Sequence, residues 1–161
     1  MALICFDLDG TLVDPLAAIR HSLAATAAAH GFDPVPDADI RPHIGPGIHG
    51  LFQTLVPDEP ARRSALETYW RVFREEAVPL HAVYEGIPLL LTHLKRQGHR
   101  LLVVTAKPTP IARQVVHHHD LYLLFDDIHG SDAHGPWRTK TALMAELSER
   151  GALAGSGLLV G

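Results

Sequence analysis

The sequence predicts an α/β protein built on a parallel sheet that an all-helical insertion interrupts early. Three observations point to it. Short apolar runs without polar alternation, at residues 2–6, 101–105 and 158–160, suit strands buried on both faces. From residue 84 onward, strand-like and helix-like segments alternate, as in a parallel sheet with crossover helices. From residue 15 to about residue 82 the pattern is helical only.

Taken in order, residues 2–6 form the first strand. Asp7-Leu8-Asp9-Gly10-Thr11 breaks it, and Gly10 permits a sharp turn. Residues 16–30 are alanine-rich and read as a helix ending at Gly31. Residues 32–47, rich in proline and glycine, read as a loop. Helices follow at 48–56 and 61–78, separated by Pro57 and Pro60. A helix over 87–97 stops at Gly98, and the next strand covers 101–105. Residues 110–119 are expected to be a helix, 125–129 a short strand, and 138–150 a helix ending at Gly151. Leu158-Leu159-Val160 begins another strand. No internal repeat or low-complexity segment is present.

Composition narrows the classes. The chain has 161 residues, of which 47% are apolar, enough for one domain or a core with a modest insertion. A net charge of −4, with scattered lysines and arginines, argues against a nucleic-acid partner. No apolar run approaches the roughly 18 residues of a membrane span, so no membrane partner is expected. The start, Met1 to Phe6, lacks a basic region and is cut off by Asp7, so it does not read as a signal peptide. Cys5 is the single cysteine, which excludes an internal disulfide and suggests a reducing, cytoplasmic setting. Among Leu3, Ile4 and Phe6 it reads as a small buried hydrophobe.

Open α/β sheets bind ligands beyond the carboxyl ends of their strands. Here the first strand ends in Asp7 and Asp9, and the second in Thr105, Ala106 and Lys107. Two carboxylates one residue apart, followed by a glycine, can bind a hard cation. An aspartate can also attack phosphorus. The phosphoryl oxygens then need a metal, a hydroxyl or N–H group and an ammonium; magnesium, Thr105 and a later lysine would supply these.

Asp7-Leu8-Asp9-Gly10-Thr11-Leu12-Val13-Asp14 resembles the first motif of the haloacid dehalogenase superfamily. An ordinary Asx turn after a strand would explain neither the second aspartate nor the threonine. Val103-Val104-Thr105-Ala106-Lys107-Pro108 resembles the second motif, whose Thr or Ser holds the phosphate. The family often has Asn where this chain has Ala106. Ile128-His129-Gly130-Ser131, followed by Gly135-Pro136-Trp137-Arg138-Thr139-Lys140, resembles the phosphoglycolate phosphatase-like branch, with Lys140 as the third-motif lysine. Lys107 is expected to be solvated at the pocket rim.

The resemblance implies a Rossmann-like core over residues 1–14 and 84–161 and a helical cap over 15–83. It implies a magnesium-dependent phosphatase of small phosphorylated metabolites, of the phosphoglycolate or nucleoside monophosphate type. Asp7 would be the nucleophile and Asp9 the acid/base. Thr105 and Lys140 would hold the phosphoryl group, and Gly10, Ala106 and Arg41 would contact substrate. The Asp7 carboxylate and the Asp9 backbone carbonyl would bind Mg2+. Dehalogenases and phosphonate-cleaving relatives lack the second aspartate, which favours phosphate-ester chemistry. A sugar-phosphate mutase and a non-catalytic binding protein of the same fold are the alternatives. The family's fourth, acidic motif would begin where the sequence reaches Gly161, so the chain is expected to be either a piece of a longer polypeptide, the reading the break at a strand-to-motif junction favours, or a truncated product with impaired metal binding.

Other motifs carry less. Gly45-Pro46-Gly47-Ile48-His49-Gly50 fits a dinucleotide fingerprint, but no strand precedes it. By the resemblance it is a cap loop able to close over substrate, near Arg41 and His43. His117-His118-His119 lie about 100° apart around a helix and read as a solvated helix end, not a metal site. Glu67, Arg71, Arg74 and Glu75 read as a solvated helix face. Tyr69, Trp70 and Phe73 are expected to pack the cap. The remaining histidines offer no pairing.

Overall fold

The computed structural model describes residues 2–131, 139–153 and 157–161. Its sheet has four strands: β1 (Leu3–Phe6), β4 (Arg100–Pro108), β5 (Asp127–Ser131) and β6 (Gly157–Val160), in the order β5-β4-β1-β6. All pairings in this sheet are parallel, with Ile4 opposite Leu101 on one side of β1 and opposite Leu158 on the other.

The two faces of the sheet explain the unbroken apolar runs. Ile4, Phe6, Leu101 and Val103 enter one apolar cluster, with Leu91, Ala112, Val115 and Val116 from two flanking helices, α5 (Ile87–Arg96) and α6 (Thr109–His118). Leu3, Cys5, Leu102 and Val104 enter another, closed by Leu143 and Leu147 of α7 (Lys140–Glu149). Side chains alternate faces along a strand, so a sheet covered on both sides needs apolar residues at every position. Burying each such side chain contributes roughly 1.5–3 kcal/mol. Cys5 is buried and free, as expected.

Between β1 and the rest lie α1 (Leu16–His30), α2 (Asp37–Ile40), α3 (His49–Leu55) and α4 (Glu59–Val72). They share a separate apolar cluster around Leu23, Ile40, Phe52, Tyr69 and Phe73. Asp14, just before the N-cap residue Pro15, accepts from Leu16 N–H at 2.9 Å and so satisfies a donor of the first turn. Inside α1, the buried hydroxyls of Ser22 and Thr26 donate to carbonyls one turn back, so neither is left unpaired.

Five details depart from the sequence expectation. The predicted loop over 32–47 contains α2 and a 3-10 turn, Arg41–His43. A single turn is too short to show a period, and Pro36 before the acidic Asp37 and Asp39 is its visible signal. The helix predicted from 61 starts at Glu59, because Pro60 is tolerated in a first turn and Asp58 caps it through Ala61 N–H. After Val72 it widens into a π-type turn, Phe73–Ala77, before the 3-10 turn Val78–Leu80.

Two residues at each end of the helical stretch also pair. These are β2 (Val13–Asp14) and β3 (Ala82–Val83), an antiparallel ribbon too short to be seen as alternation. Finally, β5 runs 127–131, two residues beyond its predicted range. Asp126 is occupied at the strand's entry, exchanging hydrogen bonds with the backbone of Leu101. Gly130 allows the strand to continue beside the end of β4, where a Cβ would lie 2.3 Å from the Lys107 carbonyl oxygen.

Candidate active site

The site forms where β1 and β4 end side by side. Asp7 directly follows β1 and is 2% exposed. Its N–H donates to Val160 O at 2.9 Å, so pairing with β6 continues past the strand's last residue. The chain then turns tightly: Leu12 and Val13 N–H both donate to Leu8 O, and Gly10 N–H donates to Val13 O. Gly10 takes φ +82°, which only glycine adopts without strain. This turn returns Asp9 to the same end of the sheet as Asp7.

Lys140 supplies the charge opposite Asp7. Thr139 caps α7 by accepting from Ala142 N–H, and Lys140, the helix's first residue, donates from Nζ to Asp7 Oδ2 at 2.8 Å. The other oxygen, Asp7 Oδ1, is buried and has no hydrogen-bond partner among the described residues. Burial pushes the Asp7 carboxyl above its usual range, and the Lys140 ammonium opposes that shift. The segment Gly135-Pro136-Trp137-Arg138, which the sequence places before Lys140, lies outside the described residues.

Thr105 and Ala106 sit on the buried end of β4. Thr105 Oγ1 accepts from Lys107 N–H at 3.2 Å, and the Ala106 carbonyl accepts from Ser131 Oγ at 2.8 Å. Both residues line a cavity of about 30 Å³ together with Asp9, Lys107, His43, Gly45, Gly47, His49, Tyr69, Trp70 and Phe73. The helical insertion therefore sits directly on the strand ends. At Gly45, φ +91°, a Cβ would lie 3.7 Å from Asp7 Oδ2. The loop rejected as a nucleotide fingerprint is thus a close-fitting wall of this cavity. Tyr69, Trp70 and Phe73 pack among the helices, as expected, and line the cavity as well.

Two sequence expectations need correction. Lys107 is not solvated: its side chain is 3% exposed. It donates to Asp9 Oδ1 at 2.7 Å and to His81 Nε2 at 3.0 Å, and its ammonium lies 4.7 Å from the centre of the Phe73 ring. The reason is the length of β4, which stays buried through Pro108 and carries Lys107 under the helices. Burial lowers the Lys107 pKa, and Asp9 opposes the shift.

His81 was not singled out, yet it is buried, and its Nδ1 lies 2.9 Å from Val78 O. Its pKa is lowered to about 3, by burial first and then by the Lys107 charge, so the ring is neutral near pH 7. No local signal marks it, because the side chain it pairs with, Lys107, is 26 residues away. Arg41, expected to contact substrate, is exposed and stands outside the cavity lining, on the 3-10 turn. Of the histidine triplet, His117 and His118 are exposed, and His119 is partly buried against His81.

The residues suit a hard cation in part. The orphaned, buried Asp7 Oδ1 is an anionic oxygen in need of a partner, and Asp9 stands beside it. Among the described residues, no third carboxylate, histidine or cysteine joins them in a metal-binding group.

Comparisons with known proteins give the family. The family model for haloacid dehalogenase-like hydrolases matches residues 4–147. A 5'-nucleotidase of Pseudomonas aeruginosa is 36% identical over 152 residues, 94% of this chain and 69% of that protein. A phosphoglycolate phosphatase of Aquifex aeolicus is 29% identical over 162 residues, 100% of this chain and 76% of that protein. The tyrosine-protein kinase PtkA of Mycobacterium tuberculosis is 32% identical over 148 residues, 89% of this chain; the chain spans only 49% of its length. The solved PtkA structure superposes with a TM-score of 0.82, covering 99% of this chain and 74% of that one.

Proposed function

The chain belongs to the haloacid dehalogenase-like hydrolase family, and on that premise we propose that it hydrolyses a small phosphate monoester through an aspartyl phosphate on Asp7. The observation that carries this reading is the state of the Asp7 carboxylate. One oxygen is held by Lys140, and the other is buried at the end of the central strand with no partner among the described residues. A carboxylate oriented in this way and stripped of water is primed to attack phosphorus.

In the first step an Asp7 oxygen forms a bond to phosphorus as the ester P–O bond breaks, and Asp9 gives its proton to the leaving oxygen. In the second, Asp9 takes a proton from a water that attacks phosphorus, releasing inorganic phosphate and restoring Asp7. Lys140 and Thr105 stabilise charge on the phosphoryl oxygens. Mg2+ held by the Asp7 carboxylate and the Asp9 backbone carbonyl would add positive charge against those oxygens. The helices of residues 15–83 act as a cap over the core of residues 1–14 and 84–161, and their aromatic wall excludes water.

Phosphoglycolate and nucleoside monophosphates are the first substrates to test, with Mg2+ present. Release of inorganic phosphate supports the reading. An isomerised sugar phosphate without free phosphate would replace it by a mutase, and absence of any turnover would leave a binding protein.

A further inference from the structure

Lys107 stands where three parts of the chain meet. It extends from the end of β4, Asp9 comes from the turn after β1, and His81 comes from the segment that leaves the helices just before β3. Its ammonium contacts both neighbours, at 2.7 Å to Asp9 Oδ1 and 3.0 Å to His81 Nε2. The tautomer of His81 follows from its second contact. Nδ1 lies 2.9 Å from the Val78 carbonyl oxygen, which can only accept, so Nδ1 carries the hydrogen. Nε2 is then left with a lone pair, which accepts from Lys107. The Phe73 ring closes the slot above the ammonium and meets the His81 ring edge-on.

These contacts form one directed chain, from His81 N–H to the Val78 carbonyl, and from Lys107 N–H groups to His81 and to Asp9. Each bond restricts the next: the Val78 carbonyl sets the imidazole, the imidazole and Phe73 set the ammonium, and the ammonium holds Asp9 Oδ1. Little freedom is left to Lys107, whose side chain is 3% exposed. A lysine serving only to bind phosphate would need no such second partner on its far side.

We propose that Lys107 and His81 are a positioning pair for Asp9. They hold one carboxylate oxygen so that the other is presented to the ester oxygen that leaves. The inference rests on the phosphatase reading and adds to it two residues that never touch the reacting atoms.

Positioning of a proton donor has a signature that phosphate binding lacks. Expulsion of an alkoxide needs the proton, whereas expulsion of 4-nitrophenolate does not. The test compares single-turnover rates of the protein and its Lys107→Met and His81→Phe variants on an alkyl phosphate, such as glycerol phosphate, and on 4-nitrophenyl phosphate. His81→Phe keeps the ring packing and removes the acceptor for Lys107 together with the donor to Val78, so it carries the test should Lys107→Met not fold; circular dichroism identifies the folded variants.

The expected result is a loss of about 10–10²-fold on the alkyl ester, less than about threefold in the first turnover of the nitrophenyl ester, and little change in KM for either. Equal losses on both esters, an effect on KM alone, or no effect would overturn the proposal. If the unaltered protein turns over neither ester, the phosphatase reading itself fails, an outcome distinct from equal losses in an active protein.

Discussion

Asp7 and Asp9 reach the site two residues apart, off the end of a single strand. Lys140 and Lys107 reach it across 133 and 98 residues, and His81 joins Lys107 across a further 26. The acidic half is therefore a local structure, set by β1 and the turn at Gly10. The basic half exists only once β4, α7 and the segment before β3 have packed around it. The difference teaches how such a site is assembled: the reacting carboxylates depend on local geometry, and their charge partners depend on the whole fold.

The largest expected effect tests the acidic half. Asp7→Asn should abolish phosphate release while far-ultraviolet circular dichroism stays unchanged, because the turn at residues 8–13 is held by backbone hydrogen bonds. Near-normal turnover in a folded variant would remove Asp7 from the chemistry. Asp9→Asn should cost roughly 10²–10⁴-fold in kcat on a poor leaving group, as for loss of a general acid/base.

On the basic side, Lys140→Met should cost roughly 10²-fold, as for removal of one charge-stabilising donor. A smaller loss than for Asp9→Asn would show that the two halves contribute unequally.

That contrast also separates what the sequence discloses from what it hides. The acidic half is legible because strand, aspartates and glycine follow one another within a dozen residues. The parallel sheet is legible for the same reason, since β1, Leu101–Val104 of β4 and Leu158–Val160 of β6 are continuous apolar runs. Lys107 is misread because its burial comes from helices that cover β4, and a lysine after a strand looks solvated without them. His81 is invisible because its partners are set by tertiary packing. The ribbon of β2 and β3 and the helix α2 are missed because two or four residues cannot display a period.

His81 offers a stability test of the basic half. Its pKa is about 3 in the folded protein against an ordinary 6.5. The folded ring thus binds fewer protons than the unfolded one between those values, and the stability present above pH 6.5 is lost as pH falls toward 3. The slope approaches roughly 1.4 kcal/mol for each pH unit within that window. Urea titrations should show this slope in the unaltered protein and a weaker one in His81→Phe. Equal slopes would mean that His81 is not buried as a neutral ring. The smallest effect belongs to Arg41, which lies outside the cavity. Arg41→Ala should leave KM unchanged and stability within about 0.5 kcal/mol; a raised KM would bring its turn back to the substrate.

The central claim is that Asp7 carries the phosphoryl group, and it can be tested on the protein directly. In Asp9→Asn, attack on 4-nitrophenyl phosphate needs no proton, while hydrolysis of the intermediate lacks its base. The intermediate should therefore accumulate. Acid quench during turnover, followed by peptide mass spectrometry, should find a phosphoryl group on Asp7 and none on the corresponding peptide of the Asp7→Asn, Asp9→Asn double variant. An unmodified Asp7 in an Asp9→Asn protein that still releases nitrophenolate, or a phosphoryl group on any other residue, would contradict the account.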